Sequence, residues 1–281
     1  MKTPEFKSKK DQYKWLVENK SEIITEKKSA IKHADSILVN IPMVTKVVDK
    51  SKVANKEVNK VNDDNELQVK VIINTTNLMD SHSDVHLKGI WDESLVDGKK
   101  KLHLQEHEMK FDKIISETPD NLEVSTKEYT WQELGYSYKG STEALVFDST
   151  ILKERNPFMY NQYKNKFVTN HSVGMKYVNI DLAINDPEYQ DEFDTWNKHI
   201  EDIANKEYVE SKGYFWAVTK ANFLEGSAVP IGSNSITPTL AVETKTVVEP
   251  VIIKTEEPQL QDVINNADVL RLKTLMLKIN K

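Results

Sequence analysis

At Leu67 a strand-like hydrophobic period of two sets in, and that pattern decides the class of this chain. In "ELQVKVIINTTN" the residues Leu67, Val69, Val71 and Ile73 alternate with polar neighbours, as a half-buried strand requires. Further short strand candidates follow in "KKLHLQEHEM", "TEALVFD", "GMKYVNIDLAI", "YFWAVTKANFL" and "GSAVPI". Two stretches of helical spacing interrupt them, residues 153–168 and 187–206, the second carrying Phe193, Trp196, Ile200 and Ile203 on one stripe. Many short strands with interspersed helices predict an α+β domain on an antiparallel sheet or barrel. A doubly wound nucleotide fold is not expected, because no glycine-rich strand-to-helix turn is present.

The 281 residues suffice for one sizeable core with tails. Residues 6–34 read as an amphipathic helix through Tyr13, Leu16, Val17, Ile24 and Ile31. Packing on its own domain is the first reading of that helix, and docking to a partner the second. The Lys/Asn/Val-biased stretch from Val44 to Glu66 has no period and reads as a linker or lone edge strand. After residue 232, "SNSITPTLAVETKTVVEPVIIKTEEPQ" reads as an extended linker, and helical spacing returns through Leu260, Val263, Ile264, Ala267 and Leu270. The expected organisation is an N-terminal helix and linker at 1–65, a main domain at 66–232, a flexible linker at 233–258 and a C-terminal helix at 259–281.

Charge and composition narrow the chemistry. With 38 Lys+Arg against 44 Asp+Glu the net charge is -6, which argues against nucleic acid as a partner because phosphate neutralisation needs a basic face. Without cysteine there is no disulfide framework, thiolate metal site or thiol nucleophile. No apolar run approaches the roughly 20 residues of a membrane span, and the lysine-rich start lacks a signal peptide's apolar region. A soluble protein made in a cytoplasm, with no membrane partner, is expected.

Two constellations could carry chemistry. In "LMDSHSDVHLKGIW" the residues Asp80, His82, Asp84 and His86 alternate and would project from one face of a strand, an array of potential divalent-metal ligands. Ligands in a row do not surround an ion, so a polar turn leading into an edge strand is the preferred reading. The second set joins His107 in "LHLQEHEMK", Ser172 in "NHSVGMKY" and Glu225 in "FLEGSAVP". A serine hydroxyl is a weak nucleophile at neutral pH, so acyl transfer needs an adjacent imidazole and a third group to fix its tautomer. With 7 histidines and many serines and carboxylates in the chain, spacing alone leaves each of the three open to a surface or turn role.

The ordered set "DSHSDVHLKGIWDESL", "LHLQEHEMK", "HSVGMKY" and "LEGSAVPIGSNSITP" resembles the prohead maturation proteases of tailed bacteriophages, a serine protease family related in fold to the herpesvirus assemblins. The resemblance covers roughly residues 67–240. It rests on a His-acid pair at His107-Glu108, a Ser-x-Gly at Ser172-Val173-Gly174, and a Glu-x-Ser-x-Val at Glu225-Gly226-Ser227-Ala228-Val229. The chain departs from the family pattern at Ser83, where a Gly is usual, at Lys88-Gly89 in place of Pro-Gly, and at Gly226 in place of a branched apolar residue. The acidic stretch 187–206 is an insertion after the nucleophile strand.

The resemblance implies an assemblin-like core flanked by helical terminal extensions, with Ser172 as nucleophile, His107 as base and Glu225 orienting it. The backbone N–H groups of Val173 and Gly174 become candidate oxyanion donors, and no cofactor or metal is implied. His171 is a competing base, but its neighbour on a strand points to the opposite face. Substrates would be scaffold and major capsid proteins inside the procapsid in the host cytoplasm, followed by self-cleavage in the exposed linkers; a homodimer is left open. Two alternatives stand beside this: a non-catalytic procapsid assembly component of the same fold, and a metal-dependent hydrolase built on Asp80, His82 and His86.

Overall fold

The computed structural model describes residues 4–29 and 61–247, which belong to one compact unit. Of the linkers expected at 44–66 and 233–258, the parts at 44–60 and 248–258 lie outside the described residues, as does the helix expected at 259–281, while 61–66 already belongs to the first strand. Nine strands and six α-helices appear among those described: α1 (Lys9–Glu18), α2 (Lys20–Ser29), β1 (Val61–Thr75), β2 (Asp84–His86), α3 (Asp92–Leu95), β3 (Leu102–Gln105), β4 (Ile114–Glu117), β5 (Leu122–Thr130), β6 (Ser141–Leu152), α4 (Pro157–Lys164), β7 (Asn170–Ile184), α5 (Gln190–His199), α6 (Lys206–Lys212), β8 (Tyr214–Val229) and β9 (Thr239–Val247). The fold is α+β. One sheet runs β5-β6-β1-β9 with antiparallel neighbours; the other is mixed, with β8 pairing antiparallel to β7 and parallel to both β2 and β3, and β3 pairing antiparallel to β4. Neither closes into a barrel, so of the expected sheet or barrel it is the sheet form that the chain adopts.

The alternation starting at Leu67 builds the core between the sheets. Leu67, Val69, Val71 and Ile73 are all buried, together with Leu145 and Phe147 of β6, Val173, Met175 and Tyr177 of β7, and Trp216 and Phe223 of β8. Each such side chain contributes roughly 1.5–3 kcal/mol by leaving water. Ile72, on the opposite face of β1, is also buried, in a separate cluster with Leu78, Trp131, Leu134, Val146 and Ile236. The strand is therefore covered on both sides near its end.

Three further expected boundaries shift, each for a local reason. The helix expected over 6–34 divides at Asn19, whose side-chain amide and backbone N–H both bond to the Trp15 carbonyl and end α1. Both pieces pack on the domain: Tyr13 and Leu16 enter the core, Lys20 pairs with Glu192 at 2.8 Å, and Lys27 pairs with the buried Asp84. The runs "YFWAVTKANFL" and "GSAVPI" form a single strand, β8, because Gly226 is a core-facing strand position and not a turn. The extended linker expected at 233–258 does not begin at 233. Asn234 bonds to Thr75 through both its amide atoms, the Pro238 carbonyl accepts from Ile72 N–H, and 239–247 pairs with β1 as an edge strand. Its Pro/Thr/Glu composition suits an edge exposed to water, which carries little apolar signal.

Candidate active site

The strand β8 fixes the frame. Side chains alternate across a strand, so Glu225 and Ser227 leave one face while Gly226 faces the core. A Cβ at Gly226 would stand 2.6 Å from Phe147 and 2.9 Å from Ile73, which is why the branched residue expected there is absent. On β7 the register pairs Ser172 with Ser227 and Gly174 with Glu225. Residues opposite one another in an antiparallel ladder share a face. Ser172, Gly174, Glu225 and Ser227 therefore meet on one face of the sheet.

His107 reaches that face from the other flank of β8. β3 pairs with β8 so that Leu104 lies beside Ser227 and Gln105 beside Ala228. The chain then turns over the sheet through two successive left-handed residues, Glu106 at φ 53° and His107 at φ 60°. Neither is glycine, so each costs roughly 1–2 kcal/mol. The Glu106 N–H donates to the Ala228 carbonyl at 3.0 Å and the His107 N–H to the Ser227 hydroxyl at 3.1 Å, which hold the turn.

The turn brings together two residues 118 positions apart: His107 Nδ1 lies 2.6 Å from Glu225 Oε1. The other carboxylate oxygen, Oε2, accepts from the Ser227 hydroxyl at 2.5 Å. Glu225 is 1% exposed, and a buried carboxylate requires such partners. With Nδ1–H donating to the carboxylate, the imidazole lone pair stands on Nε2, the arrangement a general base needs. Ser172 is 4% exposed and sits across the ladder from Ser227.

Gly174 makes room for this pair. A Cβ there would stand 1.9 Å from Glu225 Oε1 and 2.8 Å from Glu225 Cδ, so only glycine fits across from the carboxylate. The Ser-x-Gly spacing thus has a physical content: the serine and the glycine two residues on share the face, and the second must have no side chain.

The rival acid and base fall elsewhere. Glu108 is half-buried and paired with Lys110, which holds its carboxyl below the usual range. His171 is fully buried on the opposite side, where Nδ1 lies 2.9 Å from the Thr237 carbonyl and Nε2 2.9 Å from the Tyr163 hydroxyl. A carbonyl only accepts, so Nδ1 carries the proton and Nε2 accepts from Tyr163. The Tyr163 oxygen then accepts from His103 Nε2, and His103 Nδ1 accepts from Ser149, whose oxygen accepts from Ser116. Every proton in this chain has one direction. Burial pushes His171 down to about 4, partly offset by the Thr237 carbonyl, and pushes His103 well below its ordinary value with help from neighbouring His171. Sequence spacing did not reveal this network, since its members lie on six separate segments.

The Asp/His row at 80–86 is dispersed by its partners. Asp80 Oδ1 accepts from the His82 and Asp84 N–H groups in a tight turn, Asp84 accepts from Lys27 and from the Tyr177 hydroxyl, and His86 bonds to Asn74 and Tyr177. No group of three or more His, Asp or Glu that could hold a metal occurs among the described residues. No helix among them is long and apolar enough to cross a membrane.

A groove of about 210 Å3 lies beside the site, lined by Gln105, Glu106, Phe158, Phe167, Val229 and Pro230 among others. Phe158 and Phe167 are 57% and 70% exposed. A larger cavity of about 1120 Å3 between residues 137–141 and 201–211 shares no residue with the site and is lined by no histidine. Comparison with protein-family models, curated proteins and solved structures returns no match to this chain.

Proposed function

We propose that the chain is a serine endopeptidase of the prohead maturation type, with Ser172 as nucleophile, His107 as general base and Glu225 as the group that orients it. The observation that carries the reading is the 2.6 Å contact of His107 Nδ1 with Glu225 Oε1 on the sheet face that Ser172 shares. Strand pairing brings the three segments side by side, and the strained turn then carries the base onto a buried carboxylate.

In this reading the Ser172 hydroxyl attacks the scissile carbonyl while His107 Nε2 takes its proton. The imidazolium that forms is stabilised by Glu225 and returns the proton to the leaving amine; water then repeats the sequence on the acyl-enzyme. His171 directs both its N–H and its C=O to Thr237, away from β8. By the alternation of an antiparallel ladder, Gly174 directs its N–H toward β8 and Val173 directs its own outward. Of the two candidate oxyanion donors, Val173 is therefore the better placed, and loss of one such donor costs about 3 kcal/mol. The groove beside Glu106 and Val229 offers apolar walls for an extended peptide.

The assemblin-like identity of the core, the capsid and scaffold substrates and the procapsid location belong to the same proposal and rest on the motif order. Self-processing is assigned to the linker sequence at 44–60 and 248–258, because β9 withdraws 239–247 from the expected linker. Incubating the wild-type chain beside Ser172→Ala, with intact-mass analysis, tests the reading. Fragments should appear only from the wild type, and equal processing by a folded Ser172→Ala chain would refute it.

A further inference from the structure

Ser227 has no part in the chemistry described so far, yet its hydroxyl holds the two halves of the His107–Glu225 pair. It is fully buried, donates to Glu225 Oε2 at 2.5 Å and accepts from the His107 N–H at 3.1 Å. With the 2.6 Å contact between His107 Nδ1 and Glu225 Oε1, these bonds form a closed ring: backbone N–H of His107, hydroxyl of Ser227, carboxylate of Glu225, imidazole of His107. A glutamate side chain has three rotatable bonds, and the ring fixes which oxygen faces the imidazole. The same hydroxyl is one of the groups that hold His107 in its left-handed conformation at φ 60°. Ser227 also faces Ser172 across the ladder, so one residue sets base and orienter in register with the nucleophile strand.

We propose that Ser227 is a positioning residue of this site: it aligns the Glu225 carboxylate and the His107 backbone so that the imidazole presents Nε2 toward Ser172. The proposal rests on the serine endopeptidase reading. Removing the hydroxyl leaves Oε2 with one donor fewer and frees the turn, so the productive pose of His107 becomes rarer while the peptide groove is untouched. The rate of the chemical step should fall, and the affinity for whatever occupies the groove should not.

The test uses the full chain and a fluorophosphonate carrying a short apolar group, reading the limiting acylation rate and the half-saturating probe concentration separately. Wild type, Ser172→Ala, Ser227→Ala and Ser227→Cys are compared, each checked for folding by circular dichroism. Ser227→Cys keeps the side-chain shape in a slightly larger form with a weaker donor, and covers the case in which Ser227→Ala does not fold. The expected result is no labelling of Ser172→Ala and a fall of roughly ten- to a hundredfold in the limiting rate for the folded Ser227 variants, at unchanged half-saturation. A far-downfield imidazole N–H proton resonance is expected in the wild type and should weaken or vanish in them. Wild-type rates in a folded Ser227 variant, beside a silent Ser172→Ala, would overturn the positioning role alone. Failure of both Ser227 variants to fold would overturn it in favour of a purely structural one. Labelling that persists in Ser172→Ala, or is missing from the wild type, would overturn the underlying reading and this proposal with it.

Discussion

Gly174 stands directly across the strand ladder from Glu225, so close that a Cβ would lie 1.9 Å from the carboxylate oxygen that holds His107. The smallest possible change at Gly174 is therefore a change at the His107–Glu225 pair. Gly174→Ala should push the carboxylate off His107 Nδ1 and slow acylation of Ser172 on the order of a hundredfold, about 2.7 kcal/mol of transition-state stabilisation. Gly174 has no left-handed φ to protect, so the fold should survive. Labelling kinetics beside a thermal melt would check both halves.

Because His107 and Glu225 act through one hydrogen bond, their losses should not multiply. Glu225→Gln should cost less activity than His107→Ala, and the double variant should be no worse than His107→Ala. Self-processing rates of the four chains decide the matter, and multiplicative losses would sink the pairing.

The directed chain from Ser116 through His103, Tyr163 and His171 to Thr237 requires both imidazoles neutral. His171 is held at about 4 against an ordinary 6.5, so the unfolded chain binds the extra proton first as pH falls. Its contribution is fully present above about pH 6.5 and is lost between there and pH 4, roughly 3 kcal/mol in all. His103 shifts in the same direction. Urea denaturation across this range should show stability falling with acidity. Tyr163→Phe, which removes the hydroxyl between two buried ring nitrogens, should destabilise by about 1–3 kcal/mol even at neutral pH.

Lys27 of α2 reaches Asp84, which is 1% exposed and also accepts from Tyr177 at 2.8 Å. Lys27→Met should cost roughly 3 kcal/mol by leaving that carboxylate short of its cation, whereas Lys14→Met, at an exposed helix pair, should cost almost nothing. Equal melting temperatures for the two variants would show that the N-terminal helices are a detachable handle and not part of the domain.

How much of this was legible beforehand depended on which force spoke. The alternation of Leu67, Val69, Val71 and Ile73 announced β1 because burial writes itself into the sequence at period two. β5 and β9 stayed silent because edge strands carry polar residues: the run "LEVSTKEYT" buries only Leu122 fully. Glu225-Gly226 read as the end of a strand because glycine signals a turn, while in the structure Phe147 and Ile73 occupy the space where its side chain would be. His107 and Glu225 were visible through motif order, but the left-handed turn that delivers His107 was not, since it begins at Glu106, a residue that seldom adopts that conformation. Ser227 was in view as part of the motif, and only the packed strands disclose what its hydroxyl touches.

The central claim is that Ser172 is acylated with His107 as its base, and mass-mapped labelling of the intact chain by a fluorophosphonate tests it most directly. The account predicts a single adduct on the peptide containing Ser172, absent from Ser172→Ala and strongly reduced in a folded His107→Ala chain. An adduct mapped to a different residue, or one formed at the same rate without His107, would contradict it.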